Sequence, residues 1–403
     1  MKTRYLLTLA LSLPLAAEVL PPTEDIPMGT TATQEAAAAL HIETREMGYY
    51  NLDTIGRAGM GAVKLRLKQA DGSCSSCFLA FGGANFPNAL PNAKTPEERG
   101  AKVFYDEYGL IMPPVKGSFG DYARSGKLPY PVGYAAAAAV PAKDTAGEVT
   151  SFVIAGGCNA DGHLAKTVAV KLCGGAKVET TPLPDLPVSC AYPAYATLGN
   201  HLYVIGGQEK PDSTEALHRV FRLDMTAPAA GWRELAPMPG AGRMLSVAGV
   251  EKGKLYLTGG CSLHADAQGK PERTYLKETL VYDPDANSWS KAADAPETIV
   301  GAATPMPNMA GRLLLVGGDP GHYYRAALNG QAPANHPGQA RAVYAFNPAL
   351  NAWTKAGELP LGVATFPAVQ LGPGSSSAFT ISGETHPGVR TPKIFHIHII
   401  VNK

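Results

Sequence analysis

Six short apolar runs in this chain end in a pair of small residues, and their spacing limits the fold more than any other feature. "FLAFGG" ends at Gly83, "FVIAGG" at Gly157, "LYVIGG" at Gly207, "LYLTGG" at Gly260 and "LLLVGG" at Gly318. "FTISGE" is a degenerate sixth copy, with its glycine at Gly383. The intervals are 74, 50, 53, 58 and 65 residues, averaging 60. Self-similarity at such a period marks a unit that cannot bury its apolar surface alone and must stack on copies of itself.

More of the unit recurs around each pair. "RVFRLDMTAPAAGWRELAPMP", "LVYDPDANSWSKA" and "AVYAFNPALNAWTKAGELP" each read as strand, turn and a further strand opening at Trp232, Trp289 or Trp353. A short apolar strand such as "MLSVAGV" or "ATFPAVQL" precedes the glycines. The unit is therefore four antiparallel strands. With 44 Gly, 34 Pro and only 17% charged residues, the composition favours short strands and turns over long helices. The glycines end the second strand where backbones crowd, and the tryptophan is a wedge between neighbouring sheets. Period and glycine pair resemble the kelch repeat, which implies an all-β, six-bladed β-propeller. The sixth unit has "KIFHIHII" but no tryptophan strand after it. An N-terminal strand is expected to close that blade, with Met47–Ile55 as the candidate.

The N-terminus reads as a signal peptide over residues 1–17. Lys2 and Arg4 precede the apolar stretch "YLLTLALSLPLAA". Residues 18–44 are then a tether and 45–403 the propeller. The expected location is exported, periplasmic or secreted, with no stable membrane insertion after cleavage. A formal charge of +1 suggests no nucleic-acid or membrane-surface partner. The six cysteines (Cys74, Cys77, Cys158, Cys173, Cys190 and Cys261) are too few for a disulfide framework in a chain this long. "CSSC" at 74–77 lacks a second pair to complete a zinc site. It leaves a local bridge or two free thiols. His396 and His398 share one face of a strand, without an obvious third ligand. No metal and no cofactor is expected.

In a four-stranded antiparallel blade, the loops after the glycine pairs and those before the first strands line one mouth of the central channel. The sixth of these loops, "SGETHPGVRTP", holds Glu384, His386 and Arg390 between prolines and glycines. "GETHPGVRT" is similar to the acid-and-arginine loop of the N-acetylneuraminate mutarotases, an exported kelch family that equilibrates sialic acid anomers. "GGANFP" resembles another loop of that family, and "GGDPGHYYRAALN" stands in place of its long aromatic loop. The order of these loops is rotated, as in a cyclically permuted branch. The aromatic loop lacks the Asn expected beside its glycines.

The resemblance implies an isomerase acting on a small acidic sugar. Opening a cyclic hemiketal needs a base for the anomeric hydroxyl and an acid for the ring oxygen. A planar guanidinium matches the substrate's carboxylate. On this reading Glu384 moves the proton and Arg390 grips the carboxylate; the alternative is an ion pair that staples a tight turn. Arg243 is a candidate second clamp or a surface arginine. Asn85 contacts the substrate or caps its turn. Arg325, Tyr323 and Tyr324 could form a wall, and His386 is a further candidate acid. The rival classes are a non-catalytic propeller that binds a glycan or protein, a kelch copper oxidase and a glycosidase. The last would need paired carboxylates, and only Glu384 presents itself.

Overall fold

The computed structural model describes residues 40–49, 56–68, 72–89, 96–112, 124–142, 148–173, 177–328, 336–370, 372 and 374–400. Residues 1–39, which hold the expected signal segment and most of the expected tether, lie outside these residues. Within them the chain builds six antiparallel sheets, the blades of a propeller: five are four-stranded, and that of blade 1 adds the short strand Val103–Phe104 to a path of four. Blades 1 to 5 run in chain order. Their first strands are Ala58–Lys68, Ala136–Ala139, Ala194–Leu198, Val247–Glu251 and Asn308–Met309. Blade 6 has the order Ile42–Tyr49, Lys393–Ile399, Ser377–Ile381 and Ala368–Gln370. Its outer strand therefore comes from the N-terminus, in antiparallel register from Ile42 opposite Ile399 to Tyr49 opposite Lys393. The closing strand begins upstream of the expected Met47 and shares only Met47–Tyr49 with that segment, whose residues 50–55 lie outside the described ones.

Alternation along the second strands explains the packing. Phe152 and Ile154 enter the seam with blade 1, against Leu79, Phe81 and Tyr108, while Val153 and Ala155 face blade 3, against Leu202, Val204 and Phe221. Each sheet is apolar on both faces, so neither face is satisfied until a blade stands on each side. Six such seams alternate with the six blades. The last joins Phe379, Ile381 and Ile394 of blade 6 to Met60, Phe78 and Ala80 of blade 1. The tryptophans fill the outer seams and reach back one blade. Trp232 Nε1 donates to Thr167 Oγ1 (3.1 Å), Trp289 Nε1 to the Ala236 carbonyl (3.0 Å) and Trp353 Nε1 to the Ala293 carbonyl (2.9 Å).

Two repeated backbone devices close the ring. The N–H of each second glycine donates to the carbonyl that precedes the neighbouring blade. Gly83 reaches Val132, Gly157 reaches Cys190, Gly207 reaches Arg243, Gly260 reaches Ile299 and Gly318 reaches Val363. Gly383 completes the set by reaching Arg57 at 2.9 Å. The first glycine of each full pair has no room for a side chain; a Cβ on Gly82 would lie 2.1 Å from the Val132 carbonyl oxygen. In the degenerate copy Ser382 holds that place at φ 59°, and its hydroxyl bonds to the backbone carbonyls of Arg57 and Thr391.

Two residues further on, the chain is left-handed in every blade: Gly59, Tyr134, Tyr192, Leu245, Gly301 and Thr365 have φ between 54° and 65°. Each N–H donates to the carbonyl of its counterpart in the preceding blade: Tyr134 to Gly59, Tyr192 to Tyr134, Leu245 to Tyr192, Gly301 to Leu245, Thr365 to Gly301 and Gly59 to Thr365. The result is an unbroken circle of six backbone hydrogen bonds around the channel, with lengths from 2.6 to 3.1 Å.

All six cysteines are free. Cys74 and Cys77 occupy one strand three residues apart, so their side chains leave opposite faces and cannot bridge.

Candidate functional site

The circle of left-handed residues forms the floor of one mouth. Tyr134 and Tyr192 lie on it with ring centroids 4.6 Å apart. Above it stands a tier made by the residue that follows each glycine pair: Ala84, Cys158, Gln208, Cys261, Asp319 and Glu384. In five blades this residue pairs with the chain just before the adjacent first strand; in blade 6 the bridge joins Glu384 to Ala364. The polar atoms of the tier are thus mounted on rigid backbone, one residue from the floor.

Glu384 and Arg390 face each other across a two-stranded hairpin, Glu384–His386 with Val389–Arg390. An Arg390 Nη1–Glu384 Oε2 ion pair links them. The arginine side chain is 4% exposed and the glutamate's 20%. Arg390 Nε donates to the Ala84 carbonyl at 3.4 Å, and the guanidinium lies 5.4 Å from the Phe86 ring centroid, so blade 1 holds it as well. The arrangement leaves the carboxylate more open than its partner. His386 sits beside it, edge-on to His336 at 5.7 Å, with Nδ1 at 3.2 Å from Thr385 Oγ1.

The other expected site residues are engaged within the fold. Arg243 lies beneath the mouth, with its side chain 2% exposed and Nη2 at 3.1 Å from Glu278 Oε2. Burial lowers its affinity for the proton, and Glu278 works against that. Arg57 occupies the same place in blade 1, equally buried and 2.8 Å from Glu107. Each of these arginines also points a nitrogen at the first glycine's carbonyl of its own blade, 3.4 Å away. The repeat has therefore used arginine twice as a buried post, in blades 1 and 4, on opposite sides of the ring. Asn85 is likewise buried; its Nδ2 donates to the Gly56 carbonyl (3.1 Å) and its Oδ1 accepts from Tyr105 (2.7 Å). It ties down the strand that enters blade 1.

Arg325, on the short helix His322–Leu328, folds back onto its own loop. It donates to Thr298 Oγ1 and the Pro320 carbonyl (3.1 Å each) and meets His322 Nδ1 at 2.9 Å. Tyr323 stacks near His336 at 4.5 Å, and the Tyr324 hydroxyl accepts from the Arg273 N–H at 3.2 Å. The Tyr324 ring also packs against Tyr275, with centroids 5.4 Å apart.

Several mouth residues were not singled out from the sequence. Lys102 Nζ sits 4.5 Å over the Tyr134 ring. The Tyr275 hydroxyl donates to Asp319 Oδ2 at 2.7 Å. His163 lies edge-on to Tyr192 at 5.6 Å, its Nδ1 3.1 Å from the Gln208 carbonyl. A carbonyl only accepts, so Nδ1 carries the proton and Nε2 keeps its lone pair. Burial holds the His163 ring below the usual imidazole range. It likewise pushes Cys158 and Tyr192 up, and Cys261 up to about 11, so these groups are neutral at pH 7. A signal for these residues existed in the repeat itself: each lies in the segment that follows a glycine pair or just before a first strand.

Among the described residues no group of three or more His, Cys, Asp or Glu gathers in a way that would hold a metal. His396 and His398 stack on each other at 5.1 Å on the outside of blade 6; His398 Nε2 lies 3.3 Å from Glu43, and His396 Nε2 lies 3.0 Å from Ser377 Oγ.

Comparison with known proteins agrees with the resemblance carried by the loops. Residues 183–340 match the family model described as N-acetylneuraminate epimerase. The chain is 30% identical over 232 residues to the N-acetylneuraminate epimerase of Yersinia enterocolitica, covering 53% of this chain and 56% of that protein. It is 25% identical over 228 residues to the enzyme of the same name from Haemophilus influenzae strain PittEE, covering 52% and 57%. The match thus spans about half the length of these curated relatives. A solved structure of YjhT aligns with a TM-score of 0.44 and 22% identity, over 54% of this chain and 67% of that one.

Proposed function

From the epimerase-family match over residues 183–340, we propose that this chain is an isomerase that speeds the interconversion of the α and β anomers of N-acetylneuraminate. The observation that carries the reading is the Glu384–Arg390 hairpin, a carboxylate held on rigid backbone one residue above the channel floor. Two further points support it. Two loops of the resemblance, "GGANFP" in blade 1 and "GETHPGVRT" in blade 6, lie outside the matched residues, and the third, "GGDPGHYYRAALN" in blade 5, lies within them. A ring whose blade order is rotated also yields a linear alignment over only part of its length, as the half-length matches do.

In the proposed reaction Glu384 takes the proton of the anomeric hydroxyl as the bond from C2 to the ring oxygen breaks. The ring oxygen leaves as a hydroxyl, taking its proton from solvent water, and Glu384 returns the proton it took when the ring closes again. The open-chain keto acid turns its carbonyl over, and the same steps in reverse close the ring on the other face. Assistance of this kind is worth about 10²–10⁴-fold over the uncatalysed exchange. Arg390 is the positioning residue for Glu384: the ion pair fixes the carboxylate's rotamer. No cofactor enters these steps. Export by the N-terminal segment, to the periplasm or beyond, belongs to the same proposal.

The rival reading, a propeller that binds a glycan or protein without turnover, draws on the same ion pair acting only as a staple. Proton NMR separates the two. A sialidase releases the α-anomer in the tube, and its decay to β is followed with wild type, with Glu384→Gln and with no protein. Acceleration by wild type and its loss, by about 10²-fold or more, in the variant is the expected result. Equal acceleration by both removes Glu384 from the mechanism; none by a folded wild type leaves the binding propeller.

A further inference from the structure

The pairing of Arg390 with Glu384 leaves the substrate's carboxylate without its expected partner. Arg390 is almost fully buried and already neutralised. Arg57 and Arg243 are buried posts with their own glutamates, and Arg325 is bonded into its loop. Arg273 differs from all of them. It is exposed, on the strand Pro271–Tyr275 that follows the fourth glycine pair, and among the described residues no carboxylate pairs with it. The groups that face it are Cys261, Tyr275 and Tyr192. Burial, first among the causes, keeps all three protonated, and the Asp319 carboxylate reaches the guanidinium only by way of the Tyr275 hydroxyl that is bonded to both, so among the described residues Arg273 has no ion pair of its own.

Arg273 also lines a cavity of about 250 Å³ between the loops of blades 2, 3 and 4, together with His163, Tyr192, Gln208, Met244 and Leu263. Met244 and Leu263 give it an apolar side; Tyr192 gives it the floor of the mouth. His163 offers Nε2 as an acceptor for a sugar hydroxyl. The backbone of Arg273 is fixed by its N–H bond to the Tyr324 hydroxyl, which ties this strand to the aromatic loop of blade 5.

Resting on the mutarotase reading, the geometry points to Arg273 as the residue that holds the carboxylate of the acidic sugar, through a forked pair of hydrogen bonds in this cavity. An arginine with neutral neighbours in a semi-enclosed polar cavity is a site for a planar anion. Lys102, another cation of the mouth, rests on the Tyr134 ring and offers only a point charge.

The test compares wild type, Arg273→Gln and Arg273→Lys in the α-to-β exchange assay, with saturation-transfer NMR on N-acetylneuraminate and on its uncharged methyl ester. Circular dichroism checks that the variants are folded. Arg273→Gln is expected to raise KM at least tenfold while kcat stays within threefold, and to lose the saturation-transfer signal of the acid but not that of the ester. Arg273→Lys is expected to fall between. Unchanged turnover and binding in Arg273→Gln would overturn the assignment and leave the mutarotase reading intact. If wild type does not turn the sugar over, that reading fails and binding alone decides. An acid signal present in wild type and lost in Arg273→Gln keeps the carboxylate site; an absent or equal signal overturns it.

Discussion

Two arginines of similar appearance in the sequence do opposite work, and the difference is one of partners. Arg243 is buried and sits on Glu278; Arg273 stands in the mouth with neutral neighbours. The buried pair is asymmetric, because Glu278 is 36% exposed and also bonded to Lys291 at 2.7 Å. Removing the glutamate strands a buried cation, whereas removing the arginine leaves a carboxylate that water and Lys291 still satisfy. Glu278→Ala is therefore expected to cost about 3 kcal/mol, and Arg243→Met about 1 kcal/mol or less. Urea denaturation of both variants checks the order; equal costs would mean that the arginine's packing, not its charge, matters. The same point explains what could be read from residues alone. "GETHPGVRT" announced a charged loop, and the structure makes it a two-stranded hairpin with its charged ends paired. "GRMLS" and "GGANFP" announced polar groups near the mouth, yet whether a side chain points into a channel or under it depends on the neighbouring blade. Arg243 and Asn85 went under; nothing local in their segments says so.

At the scale of the blade, the glycine pairs carried the fold because they mark a steric fact, a carbonyl 2.1–2.6 Å from where a Cβ would stand in each full pair. The closing strand was harder to place. "MGYY" looks like strand, but the register is set by residues 393–399 and by Ile42, which fills the seam with blade 5. That strand also brings an acid-sensitive patch. His396 stacks on Phe379 at 4.7 Å and against His398, with Arg45 and Glu43 facing it from the N-terminal strand. Burial, then the charges of His398 and Arg45, holds its imidazole down at about 4. The unfolded chain takes up this proton near pH 6.5, so it binds more protons than the fold between there and pH 4. Stability contributed here is present above pH 6.5 and is lost as pH falls towards 4. Thermal melts of wild type should drop over that window more steeply than those of His396→Phe; parallel curves would assign the acid sensitivity elsewhere.

For the molecule as a whole, the point of closure has no special standing except that two chain ends meet there. The six-membered circle of backbone hydrogen bonds passes from Thr365 to Gly59 as it passes between any other neighbours. Blade 6 is held by an antiparallel pair whose members lie at opposite ends of the sequence, with the Ile400 N–H donating to the His41 carbonyl at 2.9 Å. That spacing suits a two-residue hairpin turn such as Asn-Gly. A chain that joins Ile400 to His41 by this turn, and opens new ends at the exposed Gly240–Ala241 between blades 3 and 4, should form the same ring. Its strands, seams and mouth are unchanged, and blade 6 becomes a continuous segment whose outer strand is joined by a turn to its neighbour. The expected outcome is a melting temperature equal to or above that of the parent, with the same result as the parent in the assay of the proposed anomer exchange. Deleting residues 1–49 from the parent chain should do the reverse. It bares the blade 5–6 seam and an open strand edge, and the protein should aggregate or melt well below the parent. If the deleted chain instead melts like the parent, Ile42–Tyr49 is an ornament on blade 6 rather than its closing strand, and ring stability lies in the inner hydrogen-bonded circle alone.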